Sequence, residues 1–279
     1  MTERILTVTR VAGKNPSLLF LVVSVVALSG CASVPLPPAA TRVALQSPPR
    51  SEVVPLPSPV QTIVIDAGHG GHDPGTQHFG LKEKTLALDI AKRLSRALEQ
   101  EGFEVIMTRE TDQFIPLSGR PAVANRLQAD LFVSVHINAN RNRTVSGVEV
   151  YYPRVSVVSA SAQWPPTVVP SEVAVPSLTV KQVLWDMVLG RTRSQSRRLA
   201  ASICRSMRTG LPAPCRGTKP ARFVVLREAW MPSVLVEVGY VSNYAEAKRL
   251  SSPDYRQSAA QSIAEGITSY VRELGAQHI

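Results

Sequence analysis

The sequence is poor in aromatic residues, which make up 5% of its 279 residues, and it contains only three cysteines. Acidic residues are also scarce, with 21 against 31 basic residues, so the net charge is +10. A charge of this size indicates affinity for anionic surfaces. Nucleic acid is not the expected partner, because the basic residues are scattered outside residues 191–198 and no aromatic stacking surface accompanies them.

The N-terminal apolar run, at residues 17–28, is too short to span a bilayer comfortably, since a helix needs about 20 apolar residues. Three basic residues precede it, which is the order of an export signal. The run ends at Leu28-Ser29-Gly30-Cys31, which is similar to a bacterial lipobox. We therefore predict a signal peptide at residues 1–30, a lipid on Cys31, and a periplasm-facing location in the bacterial envelope. An uncleaved anchor or a plain export signal is the alternative.

The following residues, 31–60, are dense in proline and serine and show no hydrophobic period, which predicts an extended tether. Residues 61–279 are expected to form one folded domain with a variable insertion at residues 153–194. Cys204 and Cys215 lie in this domain. An exported protein permits a disulfide between them, but their spacing leaves two free thiols equally open. For such a protein, anionic lipid head groups or cell-wall polymers are the nearer partners of the positive charge.

Strand and helix patterns alternate along the domain, which predicts an α/β fold with a largely parallel, twisted sheet flanked by helices. Branched apolar runs indicate the strands, and apolar residues spaced three and four apart indicate the helices. The expected strands are residues 61–66, 103–108, 131–135, 147–152, 222–226 and 233–238, and the expected helices are residues 81–102, 120–127 and 255–274.

Chemistry-bearing residues stand where several of these strands end. His69 lies in the glycine-rich loop after the first strand, while His136 and Glu237 end later strands. Glu83, at the start of the first helix, can reach the same rim. Ligands of such sheets bind outside the carboxyl ends of the strands, so we expect these residues to meet there. Two imidazoles and a carboxylate can hold zinc with one position open, which predicts a hydrolase in which Glu237 moves the proton.

Other residues compete for these roles. His72, His78 and His278 are competitors for the metal. His72 is only three residues beyond His69, but nothing later in the sequence is arranged around it, so it is interpreted as an accessory loop residue. Taken alone, Glu83 suits a helix start and Glu237 suits an ion pair with an arginine. A serine peptidase of the penicillin-binding type is excluded, because no lysine has a serine three residues before it.

The domain also resembles the zinc-dependent N-acetylmuramoyl-L-alanine amidases of the type 3 amidase family, over residues 62–274 and in the same order. The segments that carry the resemblance are Ile65-Asp66-Ala67-Gly68-His69-Gly70-Gly71, Asp73-Pro74-Gly75, Glu83, Thr108-Arg109, Arg120, Ala124-Asn125, Ala129-Asp130, Ser134-Val135-His136-Ile137-Asn138-Ala139, Gly147-Val148-Glu149 and Met231-Pro232-Ser233-Val234-Leu235-Val236-Glu237-Val238-Gly239.

The resemblance implies cleavage of the amide bond between N-acetylmuramic acid and L-alanine in peptidoglycan or its precursors, in wall remodelling or cell division. It implies that His69, Glu83 and His136 hold one Zn²⁺ and that Glu237 is catalytic. Asn138 is a candidate for the substrate groove. The alternative is a catalytically silent lipoprotein that binds peptidoglycan through an amidase-like domain.

The main departure from the family lies between residues 153 and 194. Some members carry a helix there that covers the zinc until a protein activator displaces it. In this sequence residues 155–178 are rich in valine, serine and proline, and only residues 179–189 favour a short helix before an amphipathic pattern resumes at 196–207. Glu172 or Asp186 is a candidate to cap the metal at rest. We favour a loop beside an open site, and leave a requirement for an activator open.

Overall fold

The computed structural model describes residues 60–154 and 178–276, and for residues 178–186, 188 and 189 it describes the backbone alone. Within these ranges eight strands and six helices alternate. The strands are β1 (Thr62–Ala67), β2 (Gln77–His78), β3 (Leu81–Lys82), β4 (Glu104–Met107), β5 (Leu131–Asn138), β6 (Val148–Pro153), β7 (Cys215–Ala221) and β8 (Ser233–Tyr240). The helices are α1 (Glu83–Gln100), α2 (Gly119–Leu127), α3 (Leu178–Gly210), α4 (Val224–Arg227), α5 (Tyr244–Ser251) and α6 (Pro253–Gly275).

Six of the strands form one sheet in the order β4-β1-β5-β8-β6-β7. The first four run parallel, whereas β6 pairs antiparallel with β8 and parallel with β7. The central strands are buried on both faces, as expected for branched apolar strands covered by helices. The prediction of a largely parallel α/β sheet flanked by helices is therefore confirmed.

The two faces of the sheet carry different layers. Alternate residues such as Ile63, Ile65 and Val133 pack in the large core that also contains the buried faces of α1, α3 and α6. The intervening residues, such as Val64 and Phe132, pack in a smaller cluster with residues of α2 and α4. Because side chains alternate along a strand, residues with the parity of Phe132 emerge on the side of the short helices. His136 is one of them.

One of the expected strands was wrong. Residues 222–226 were expected to form a strand, but α4 begins at Val224, and Val225 and Leu226 are buried in the smaller cluster. A short apolar run fits either a strand or a buried helix turn, so its pattern could not distinguish them. The strand lies just before it as β7, an edge strand whose Gly217 and Pro220 break the usual strand pattern.

The end of the expected insertion also differs from the prediction. Two separate helical pieces were expected at residues 179–189 and 196–207, but α3 runs without a break from Leu178 to Gly210. Residues 155–177, which include the candidate Glu172, lie outside the described residues, as do the lipobox and the tether. In the described ranges no helix has the length and apolarity needed to cross a bilayer. A disulfide joins Cys204 of α3 to Cys215 of β7, which resolves the open question about these two thiols.

Candidate active site

Three side chains from separate parts of the chain meet beside the carboxyl ends of β1 and β5. His69 follows β1, Glu83 is the first residue of α1, and His136 lies in β5. Their possible ligand atoms all lie within 4.8 Å of one another. His69 Nε2 is 3.1 Å from Glu83 Oε2, and His136 Nδ1 is 2.9 Å from Glu83 Oε1. The structure thus brings together the three residues that the sequence proposed as metal ligands.

Glu83 is the centre of this group and is only 3% exposed. Its two oxygens also accept hydrogen bonds from the backbone N–H groups of Thr76, at 2.8 Å, and Ile137, at 3.0 Å. Burial alone raises the pKa of Glu83, but its bonds with His136 and then His69 outweigh burial and hold this pKa well below its usual value. The carboxylate is therefore ionised at neutral pH, as a metal ligand must be.

His69 is oriented by a second carboxylate that the sequence reasoning did not assign. Asp73 Oδ2 lies 2.7 Å from His69 Nδ1, which leaves Nε2 facing Glu83. Such a partner fixes the ring and its tautomer, as is usual for histidines that bind metals. Burial lowers the pKa of His69, yet the bonds with Glu83 and Asp73 give a net rise. The spacing of four residues between His69 and Asp73 was the available signal.

The backbone of this loop is strained where the site requires it. His69 has a φ of 58°, a conformation that costs energy for a residue with a Cβ and often marks functional sites. Gly68 and Gly75 leave the room that the side chains occupy. A Cβ on Gly68 would lie 2.5 Å from the ring of His136, and one on Gly75 would lie 2.5 Å from Glu83 Oε2. The glycines around His69 are therefore needed for the three side chains to converge.

Glu237 stands beside this group on the neighbouring strand. The register of β5 and β8 places it directly opposite His136, so the two side chains share a face of the sheet. Among the described residues its Oε2 is buried without a hydrogen-bond partner. Burial, followed by the negative charges of Glu83 and Glu149, raises the pKa of Glu237 well above its usual value. A buried oxygen of this kind calls for a cation or a bound polar molecule nearby.

This donor set fits a divalent transition metal. Two imidazole nitrogens and one carboxylate are the three protein ligands of a catalytic zinc site that keeps one position open. Because Glu237 lies opposite His136, its unpartnered oxygen is a candidate to contact a water or substrate at the open position. Positive charge in the triad would also counteract the repulsion that raises the pKa of Glu237.

A buried network holds the His69 loop from behind. Asp66 is fully buried and accepts hydrogen bonds from the hydroxyl groups of Thr108 and Ser134, each at 2.7 Å. Arg120 donates to Asp66 Oδ1 at 2.9 Å and to the carbonyl of His69 at 2.9 Å. Arg109 donates to the carbonyl of Gly68 at 2.7 Å. These residues belong to the segments quoted for the resemblance, but the sequence gave no reason to assign them this supporting role.

The remaining candidates are not part of the metal group. His72 packs against Phe114 with ring centroids 4.1 Å apart, and His78 lies near Phe79. His278 and Glu172 lie outside the described residues, and only the backbone of Asp186 is described. The side chain of Asn138 accepts a hydrogen bond from the N–H of Ala139. This contact does not test whether Asn138 lines a substrate groove, and that role stays a prediction.

Comparison with known proteins places these observations in a family context. A family model described as N-acetylmuramoyl-L-alanine amidase matches residues 63–269. The amidase AmiA of Escherichia coli is 34% identical over 219 residues, which cover 75% of this chain and 76% of AmiA. The amidase LytC of Bacillus subtilis is 35% identical over 78% of this chain, but the chain spans only 37% of LytC. The solved structure of amidase AmiC2 of Nostoc punctiforme superposes with a TM-score of 0.59 at 34% identity, covering 76% of this chain and 97% of AmiC2.

Proposed function

Because this chain belongs to the N-acetylmuramoyl-L-alanine amidases, whose reaction separates stem peptides from the glycan of peptidoglycan, we propose that His69, Glu83 and His136 bind its zinc and that Glu237 transfers the proton. The observation that best supports these roles is the position of Glu237. It lies opposite His136 across two paired strands, and its Oε2 is buried without a partner among the described residues. The family model and the relatives confirm the resemblance to the type 3 amidase family, whereas the individual residue roles are our proposal.

Different residues of the chain would have different roles in the reaction. Zinc bound by the triad would supply a Lewis acid for the scissile carbonyl and would acidify a water molecule. Asp73 holds the ring of His69 through Nδ1 and leaves Nε2 for the metal. Glu83 places its oxygens beside His69 Nε2 and His136 Nδ1, so the three residues would bind the same ion. Glu237 accepts a proton from the attacking water as the water oxygen bonds to the lactyl carbonyl carbon. It then gives this proton to the nitrogen of L-alanine as the carbon–nitrogen bond breaks.

We further propose that the mature protein begins at Cys31, carries its lipid there, and faces the periplasm. The order of charged residues, apolar run and lipobox supports this assignment. The disulfide between Cys204 and Cys215 is consistent with an oxidising compartment outside the cytoplasm. The tether at residues 31–60 would let the catalytic domain reach peptidoglycan while the lipid stays in the membrane.

The need for an activator also remains a proposal. Helix α3 continues the chain after residues 155–177 and begins at Leu178. We propose activity without an activator, because residues 155–178 are rich in valine, serine and proline, a composition that favours a loop over a covering helix. Deletion of residues 155–177 should then leave the rate unchanged, whereas a capped site would become faster.

The test of the proposed function is release of stem peptides from purified peptidoglycan, followed by mass spectrometry. We expect peptides that begin with L-alanine from the zinc-loaded protein and none after chelation. The variant Glu237→Gln keeps the shape of the side chain but cannot accept a proton, so the rate should fall about 100- to 10,000-fold with zinc still bound.

The matched control is Glu265→Gln, an exposed carboxylate on α6, which should keep the full rate. Zinc content measured by atomic absorption separates loss of metal from loss of proton transfer. Tight zinc binding by the unaltered protein without any release of peptide would contradict the enzyme and favour the alternative of a silent wall-binding lipoprotein.

A further inference from the structure

The row of side chains that contains His136 and Glu237 continues across the sheet to a cationic group. Strand β6 places Glu149 directly opposite Glu237, on the side away from His136. Glu149 is only 2% exposed and accepts hydrogen bonds from Lys219 at 2.6 Å and Arg216 at 3.2 Å, both on β7. The hydroxyl of Tyr151 donates to its other oxygen. The site therefore has a second end, built from residues that the proposed mechanism does not use.

Together, Glu149, Arg216 and Lys219 present more positive than negative charge to solvent. Burial raises the pKa of Glu149, but hydrogen bonds from Lys219 and Tyr151 outweigh burial, and the carboxylate stays ionised. It faces two cations, and the side chains of Arg216 and Lys219 are 42% and 46% exposed. One of the three ammonium hydrogens of Lys219 is used by Glu149, so the same head group can also bind an anion from outside.

The local backbone is irregular at one of these cations, Arg216. The register between β6 and β7 shifts between Val148 and Val150, so β7 has an irregularity opposite Glu149. Arg216 lies in that irregularity, beside Gly217, which has a φ of 106°. Irregularities of this kind re-aim side chains at sheet edges and next to active sites.

The spacing of the row matches a peptide substrate. Neighbouring strands are about 4.8 Å apart, so Glu149 lies one step from Glu237 and β7 lies about two steps, or roughly 10 Å, away. In a peptidoglycan stem, L-alanine is followed by a glutamate joined through its side-chain carboxyl, which leaves its α-carboxylate free. An extended peptide advances about 3.5 Å per residue, so this carboxylate lies within about two residues of the amide that is cut.

We propose that Arg216 and Lys219 form an anion-binding subsite for the free α-carboxylate of the second stem-peptide residue. This inference rests on the proposed function, because it assumes that the stem peptide leaves across β6 and β7. Two cations surround one buried carboxylate, so one positive charge is left over, and both side chains are exposed enough to contact a ligand. Bidentate or paired cationic donors are the usual partners of carboxylates.

The test compares two muramoyl peptides that differ only in this group, one with a free glutamate α-carboxylate and one with the corresponding amide. We expect the unaltered protein to cleave the free acid with a kcat/KM about 10-fold higher, the size of one charge-assisted hydrogen bond. In Lys219→Gln and Arg216→Gln this ratio should fall towards one through a higher KM for the acid, and any change in kcat that acts through the charge of Glu149 beside Glu237 should be the same for both substrates. Lys219→Arg should restore the preference.

The control is Arg272→Gln, an exposed arginine on α6 that pairs with Glu101, and it should keep the 10-fold ratio. A purely structural role for Arg216 and Lys219 would lower activity on both substrates together and leave the ratio intact, which would overturn the subsite. Equal cleavage of acid and amide by the unaltered protein would also overturn it while the amidase function stands. Cleavage of neither substrate by the zinc-loaded protein would contradict the proposed function itself.

Discussion

The two ends of the site use arginine in opposite ways. Behind the His69 loop, Arg109 and Arg120 are 1% and 2% exposed, and their donors are directed at backbone carbonyls and Asp66. At the β7 end, Arg216 and Lys219 surround one buried carboxylate but remain more than two-fifths exposed. The first end holds a strained loop in place, whereas the second end holds its cations at the surface.

This difference shows how to distinguish a cation that stabilises the fold from a cation that can bind a ligand. A guanidinium group whose donors are satisfied by buried acceptors contributes to stability, and its loss leaves those acceptors unpaired. A half-exposed cation keeps donors available for a ligand and contributes little to stability. Three experiments test how far the two ends of the site differ.

The largest expected effect is from Arg120→Met. This change removes the cationic partner of buried Asp66 and the donors to the carbonyls of Ala67 and His69, so we expect a loss of about 3–5 kcal/mol in the free energy of unfolding. Lys219→Met is the matched change at the other end and should cost less, about 1–2 kcal/mol, because Arg216 and Tyr151 still donate to Glu149. Urea denaturation of the metal-free proteins measures both values. Equal losses would remove the distinction between the two ends.

An intermediate effect is expected from breaking the disulfide. Cys204→Ser with Cys215→Ser releases a closed loop between α3 and β7, and the expected loss is about 3 kcal/mol. Because only the β7 end is tied in this way, hydrogen exchange should become faster in β7 and stay slow in the His69 loop. Mass spectrometry of exchanged peptides can compare the two regions. Faster exchange in both regions would show that the two ends are not independent.

The smallest effects sharpen the comparison at single hydroxyl groups. Thr108→Val removes a donor to fully buried Asp66 and should cost about 2 kcal/mol, since hydrogen bonds to charged groups are worth about 1.5–3 kcal/mol. Tyr151→Phe removes a donor to Glu149, but Lys219 and Arg216 remain, so about 1 kcal/mol is expected. Thermal unfolding of the two variants measures the difference. A larger cost for Tyr151→Phe would mean that the stability of the β7 end also depends on every hydrogen bond that Glu149 accepts.

Sequence reasoning anticipated the convergence of the triad because the rule behind it is topological. Parallel strands end at the same edge, so His69 after β1 and His136 in β5 had to lie close together. Glu83 followed from its position at the start of α1. The strand ends themselves were set too early, since β5 and β8 continue to Asn138 and Tyr240.

The other end of the site could not be read from the sequence. Glu149 stood in a recognised segment, but its place opposite Glu237 depends on β6 pairing antiparallel with β8. Periodicity describes one strand at a time and does not encode which strands pair or in which register. Strand β7 was missed for a related reason, because an edge strand with Gly217 and Pro220 lacks the alternation that identifies strands.

The order of strands in the sheet also sets the order in which the site can be assembled in time. His69, Glu83 and His136 come from the first half of the domain, whereas Glu237 reaches His136 only after β6, α3 and β7 have been made and β8 has inserted between β5 and β6. Pairings between distant parts of a chain form slowly because loop closure must come first. A chain that has folded only in its first half could therefore hold a metal ion but would lack the group that moves the proton.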